Sequence, residues 1–254
     1  MEKKNLLVGA LLLAGGFSTM NADVIYVTES GSGDGTSWSS AASLEDALSW
    51  AAAGDEVFVA KGTYTGSFKL RAAAKVYGNC VGTETEPPTY TTAGGKRVLY
   101  LDGKASEIYG LDISGGDAST ETTGVGRGGG VYINNGGATL KYCNIHDNIG
   151  VDGSKNILGS NGKALKGVGG GLYVLNGRLE NCIIENNIAT TAPWEDTSKT
   201  WSTGIGGGIC LDATEGNGCN PDNAIVLNCI IRNNSTTPTD DGDSFQSQGG
   251  HQVG

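Results

Sequence analysis

Several common signals are scarce or missing in this chain. Its 254 residues include 5 prolines, 2 methionines and 2 histidines. Little proline and no three-residue glycine period exclude a collagen-like chain despite 43 glycines. Basic residues are outnumbered, 17 Lys and Arg against 27 Asp and Glu, for a formal charge of −10. That balance repels phosphate backbones and anionic headgroups, so neither nucleic acid nor an acidic membrane surface is expected as a partner. A net charge of that size also favours solubility. Past residue 22 no apolar run is long enough to cross a bilayer, and no basic amphipathic segment suggests surface insertion. No Cys-x-x-Cys pair occurs, and His146 and His251 share no ligand spacing with cysteine. Structural zinc is therefore not expected, and no metal or cofactor is implied.

What the chain does have is glycine in a motif that occurs three times. The first copy runs Gly128-Gly129-Gly130-Val131-Tyr132, then Leu140, Cys143, Ile145 and Asn148. The second runs Gly169-Gly170-Gly171-Leu172-Tyr173, then Leu179, Cys182, Ile184 and Asn187. The third runs Gly206-Gly207-Gly208-Ile209-Cys210, then Val226, Cys229, Ile231 and Asn234. The block Leu/Val-x-x-Cys-x-Ile-x-x-Asn keeps its spacing in every copy, while the stretches between blocks differ in length. A rigid unit with insertions confined to loops is the behaviour of a stacked repeat.

The block is too brief for a helical repeat and lacks a 3.6-residue apolar period, so it reads as strands. Cys and Ile two apart share a strand face, which points Cys143 and Ile145, and their equivalents, inward. Leu140, Leu179 and Val226 lie three before the Cys. That is the wrong parity for one straight strand and predicts a bend at Lys141-Tyr142, Glu180-Asn181 and Leu227-Asn228. A second turn at the Asn and a third after the glycine-led strand give each coil three sides. Equivalent residues then stack about 4.8 Å apart, and Asn148, Asn187 and Asn234 form a ladder of turn amides.

Residues 1–22 read as a signal peptide: Lys3 and Lys4, an apolar run from Leu6 to Phe17, and Met20-Asn21-Ala22 as the cleavage site. Residues 23–55 read as an N-terminal cap. Val24-Ile25-Tyr26-Val27 is its strand, and a helix opens at Ser43 with Glu45 and Asp46 in its first turn. Leu44, Ala47, Leu48 and Ala51 share one face of that helix, and Gly54 ends it. Residues 56–254 read as coils, with Leu111 and Ile113 filling the Cys and Ile slots of a degenerate one. A new glycine-led strand begins at Gly249-Gly250, so further sequence is expected beyond residue 254.

Gly-Gly-Gly-apolar followed by Ile-x-x-Asn resembles the paired Gly-Gly-Ala-Ile and Phe-x-x-Asn motifs of chlamydial polymorphic outer-membrane proteins, with Ile for Phe. It is still more similar to the right-handed β-helix repeat proteins of Bacteroidetes. Asp34-Gly35-Thr36-Ser37-Trp38, Gly54-Asp55-Glu56-Val57, Gly62-Thr63-Tyr64 and Val76-Tyr77-Gly78 are similar to the opening of that group, although Asn79-Cys80 stands where its members carry Gly-Phe. The resemblance implies an all-β, right-handed parallel β-helix solenoid of pectin-lyase-like fold with an N-terminal capping helix, exported to the medium or the cell surface.

Fold alone does not decide function. Polysaccharide lyases and glycoside hydrolases of this fold need clustered acids, with Ca²⁺ or a Lys/Arg base, on the outer face of consecutive strands. The candidates are Asp147, Glu185 and Arg232, read as aligned just before the asparagine column, and Asp212 beside the third glycine-led strand. Ordinary surface charge pairing explains that column equally well. Asp240-Asp241-Gly242-Asp243 lacks the spacing of a calcium loop. Cys143, Cys182 and Cys229 are expected as buried thiols, while Cys210 and Cys219 flank a loop that leaves a disulfide and two thiols both open. Insertions at 149–168, 188–205 and 235–248 are expected at one corner. The middle one carries Trp194, Glu195, Asp196 and Trp201, aromatic rings beside polar groups that suit stacking on sugars. The expected function is therefore an adhesin or glycan-binding surface component, with a glycan or a host or cell-surface ligand as partner. A polysaccharide-degrading enzyme and a structural stalk are the alternatives.

Overall fold

The computed structural model describes residues 22–78, 88–92, 96–102, 105–134, 137–155, 167–191, 204–211 and 224–236. Their strands are short because each coil turns a corner after three or four residues. Three walls result. A seven-stranded wall is built from Val24–Val27, Glu56–Val59, Lys75–Gly78, Glu107–Tyr109, Ala138–Lys141, Gly177–Glu180 and Ala224–Leu227. A five-stranded wall comprises Phe68–Leu70, Leu99–Leu101, Val131–Ile133, Leu172–Val174 and Ile209–Leu211. A six-stranded wall comprises Thr63–Thr65, Thr89–Thr91, Asp112–Ser114, Asn144–His146, Ile183–Glu185 and Ile230–Arg232. All of these strands pair in parallel with the coils above and below, so the chain is a parallel β-helix.

The corners are where the parity argument puts them. Between the seven- and six-stranded walls the stacked residues Gly110, Tyr142, Asn181 and Asn228 take φ of 62°, 57°, 54° and 51°. Past the six-stranded wall Gly115, Asp147, Asn186 and Asn233 do the same, at 72°, 52°, 55° and 54°. Asn, Asp and Gly tolerate this left-handed region, whereas a bulky ring there is strained. Tyr142 accepts that strain while 64% exposed, so it recovers little by burial.

Inward residues fill the coil. Leu140, Cys143 and Ile145 are 0%, 2% and 0% exposed, and Leu179, Cys182 and Ile184 follow them. Leu111 and Ile113 occupy the equivalent slots one coil earlier. Cys182 donates its thiol to Cys143 and is pushed up to about 12, so these thiols are packing groups. In the last described coil Val226 and Cys229 are only part-covered and Ile231 is exposed, because no described strand stacks beyond them.

The asparagine ladder is continuous. Asn148 Nδ2 donates to Asn187 Oδ1 at 2.9 Å, and Asn187 Nδ2 donates to Asn234 Oδ1 at 3.0 Å. Each Oδ1 also accepts the backbone N–H of the Asn before it, at 3.1 and 2.9 Å. The amides further cap carbonyls of the preceding coil, Ile113, Ile145 and Ile184. The glycine triplet makes room for this. A Cβ on Gly130, Gly171 or Gly208 would sit 2.7 to 2.9 Å from the amide of Asn148, Asn187 or Asn234.

The region after the Asn departs from the expected loop. Ile149–Val151 and Ile188–Thr190 pair as a small fourth ladder, which Asp117 and Ser235 extend by single bridges. The insertions therefore leave after 151 and 190 and return at Val168 and Ile205, which bridge to each other. Those returning segments cover the outward column of the five-stranded wall, Tyr100, Tyr132, Tyr173 and Cys210, so its three middle strands are buried on both faces. Arg97, 1% exposed, locks the cover. Its guanidinium donates to the carbonyls of Gly124 and Gly128 at 2.8 Å, lies 3.8 Å from the Glu121 carboxylate and 4.8 Å from the Tyr132 ring centre. Burial pulls it down to about 10.

The N-terminal helix is Leu44–Trp50, with the Ser43 hydroxyl accepting from the Asp46 N–H at 3.1 Å. Its buried face, Leu44, Ala47 and Leu48, packs on Phe68–Leu70 and Val24–Val27. Val24–Val27 is itself the first rung of the seven-stranded wall.

Asn187→Ala should cost about 1–3 kcal/mol in urea denaturation, since it strands buried backbone groups in two coils at once. Thr63→Ala on the open six-stranded wall should cost under about 0.5 kcal/mol; equal losses would show that the ladder carries no weight. Tyr142→Asn should leave stability unchanged or raise it, whereas Tyr142→Val should lower it by about 1 kcal/mol or more.

Candidate functional site

Trp194, Glu195, Asp196 and Trp201 lie outside the described residues, as do Asp212 and Cys219. The described surface offers two open walls.

On the six-stranded wall the expected acid column needs a correction. His146, not Asp147, shares a register position with Glu185 and Arg232. Asp147 sits one residue further on, at the left-handed corner beside Asn186 and Asn233. The two carboxylates therefore belong to different columns. Each is also charge-paired. Glu185 accepts from Arg232 Nε at 2.6 Å, and Asp147 lies 2.6 Å from His146 Nδ1. The second His146 nitrogen, Nε2, is 2.9 Å from Asp112 Oδ1. Each of these contacts is an ordinary charge pair of a solvated wall. Among the described residues no group of three or more His, Cys, Asp or Glu could hold a metal ion.

Desolvation lowers the His146 pKa, but the hydrogen bonds to Asp147 and Asp112 outweigh it and hold the ring above its usual 6.5. The ring is clasped between Asp112 of one coil and Asp147 of the next, with Glu185 at the following rung.

The seven-stranded wall carries two outward columns that the repeat analysis did not find. In one, Tyr26, Phe58, Tyr77 and Tyr109 occupy successive rungs, followed by Lys141 and Glu180. Ring centres are 5.9, 5.5 and 4.9 Å apart along the column, and Trp38 extends it, 4.8 Å from Tyr26. Tyr77 and Tyr109 stack at 17°, while Phe58 is turned 66° and 77° from its neighbours. All four column rings are half-buried, and Trp38 is 38% exposed. In the second column Glu56, Lys75 and Glu107 stand at the same rungs as Phe58, Tyr77 and Tyr109. The Tyr109 hydroxyl donates to Glu107, which raises its pKa strongly, and the Tyr77 hydroxyl reaches Glu56 at 3.5 Å. Glu180 accepts from Arg178 and lies 3.4 Å from Lys141, and both hold its carboxyl below the usual range.

The signal for this column was present in the strands Val-Ile-Tyr-Val, Glu-Val-Phe-Val, Lys-Val-Tyr and Glu-Ile-Tyr, where an aromatic residue alternates with inward aliphatics. The early coils lack the Gly and Asn block, so nothing local aligned those strands with one another.

No family model matches this chain, and no curated protein matches it. Among solved structures it is similar to the crystal structure of pectate lyase Pel9A, with a TM-score of 0.41 and 12% identity over 89% of this chain and 82% of that one.

The folded His146 pKa lies above the unfolded value, so its contribution to stability is fully present below about pH 6.5 and is lost as pH rises through the folded value. The stability difference between the native chain and His146→Gln should therefore be larger near pH 5.5 than near pH 8.5 in chemical denaturation. A difference that stays flat across that range would mean the imidazolium is not held by Asp112 and Asp147.

Proposed function

We propose that this chain is an exported β-helix whose outer surface binds glycan chains, an adhesin or surface glycan-binding component in which the solenoid serves as a rigid scaffold. The observation that carries this reading is the half-buried aromatic column on the open seven-stranded wall. Sugar rings have apolar faces that pack against the exposed edges of such a ring column, and carboxylate, ammonium and phenol groups beside those rings suit their hydroxyls. Export is supported by Lys3 and Lys4 followed by the apolar run from Leu6 to Phe17 and Ala22. The insertion carrying Trp194, Glu195, Asp196 and Trp201 is proposed as a further contact region.

The test is a panel of immobilised neutral and acidic glycans, with assay of the supernatant for released fragments. The expected result is saturable retention without fragments, with tryptophan fluorescence quenched on binding. Trp194→Ala should weaken retention while leaving the melting temperature within a few degrees. Fragment release would make the chain an enzyme. Retention on no glycan would leave it a structural stalk.

A further inference from the structure

Resting on the glycan-binding reading, we propose that the seven-stranded wall binds an uncharged polysaccharide laid along the solenoid axis, with its footprint running from Trp38 to Tyr109. The direction follows from the stacking. Tyr26, Phe58, Tyr77 and Tyr109 occupy consecutive rungs, so their rings form a line parallel to the axis. Rung spacing in a β-helix is about 4.8 Å, and the ring centres keep close to it at 4.8 to 5.9 Å. An extended chain lying on such a line meets an apolar surface at every rung. A globular ligand would touch one or two.

The limits of the footprint are set by chemistry. At the far end the column changes from Tyr109 to Lys141 and Glu180, which pair with each other at 3.4 Å. Lys141 Nζ lies 5.6 Å from the Tyr109 ring centre, so charge takes over where the rings stop. At the near end Trp38 closes the line from its 3-10 turn, Trp38–Ser40.

The charge of the ligand follows from the neighbouring column. Glu56, Lys75 and Glu107 place a carboxylate, an ammonium and a carboxylate beside the rings, within a chain of net charge −10. A polyuronate laid over these rungs would bring its own carboxylates against Glu56 and Glu107, which costs electrostatic energy at each contact. Uncharged hydroxyls meet no such penalty. They donate to the two carboxylates and accept from Lys75. The edges of the ring column supply apolar contact area, and the polar column supplies orientation.

The rings also stabilise the wall, so the test uses variants that separate the two roles. Trp38 lies at the exposed end of the line, and Lys75 and Glu107 touch a ligand without forming the ring stack. The full chain is run in native gels containing hydroxyethyl cellulose, xylan or polygalacturonate, and titrated with cellohexaose and hexagalacturonate by calorimetry. The expected result is retardation by an uncharged polymer and none by polygalacturonate. Trp38→Ala and Glu107→Gln with Lys75→Met should each weaken binding about tenfold, with melting temperatures within a few degrees of the native chain. Equal retardation by polygalacturonate would overturn the assignment of charge. Uncharged-glycan binding that survives both ladder variants would overturn the assignment of site while leaving the glycan-binding reading intact. Binding to no glycan in any format would overturn both.

Discussion

The structure depends on one constraint: every coil must return its backbone to hydrogen-bonding distance of the coil before it, and the corner past the six-stranded wall is where that return is secured. Asn148 and Asn187 are fully buried there. A buried amide costs free energy unless both its donor and its acceptor are used. Here the acceptor takes two donors from the coil before, and the donor caps a carbonyl and the next amide. The third glycine of each triplet is part of the same device, since any side chain at Gly130 or Gly171 would occupy the space of the amide. Asn and Gly therefore recur together, at fixed positions, while the insertions between them vary.

A solenoid secured at one corner is free to specialise its walls. The five-stranded wall is closed over its three middle strands, its tyrosine column covered by Val168 and Ile205 and held by a buried Arg97 that satisfies the carbonyls of the turn above it. Closure on both faces contributes stability and takes those strands out of contact with ligands. The seven- and six-stranded walls remain open, and on each the outward columns repeat chemistry from rung to rung. Stacked identical geometry makes a column the natural unit of such a surface, because a residue's neighbours along the axis are set by the ladder and not by the chain.

The His146 clasp illustrates this. Asp112 and His146 are far apart in sequence, yet their rungs are adjacent and they meet at 2.9 Å. The aromatic column is built in the same way from strands separated by stretches of unequal length. In both cases the side chains involved are unremarkable in their own segments, and the surface they form exists only once the coils are stacked.

Much of the coil could be read directly. Alternation placed Cys143 and Ile145 inward, the broken parity of Leu140 and Cys143 required a corner at Tyr142, and Ser43 marked the helix start, because strand faces, left-handed corners and caps are decided within a few residues. The asparagine ladder followed from exact repetition of its block. Local reading failed where position depends on another coil. Asp147 and Glu185 were aligned by their nearness to the Asn, but one turns the corner and the other ends a strand, so they face different neighbours. Arg97 holds no place in the repeat, and its burial depends on the turn at Gly124 to Gly128 folding over it. Tyr26, Phe58, Tyr77 and Tyr109 become a line only when backbone pairing sets their register. The sequence by itself determined the coil: its faces, corners and inward set. Tertiary structure alone decided which outward residues share a column and which wall is covered, because those contacts are made between rungs.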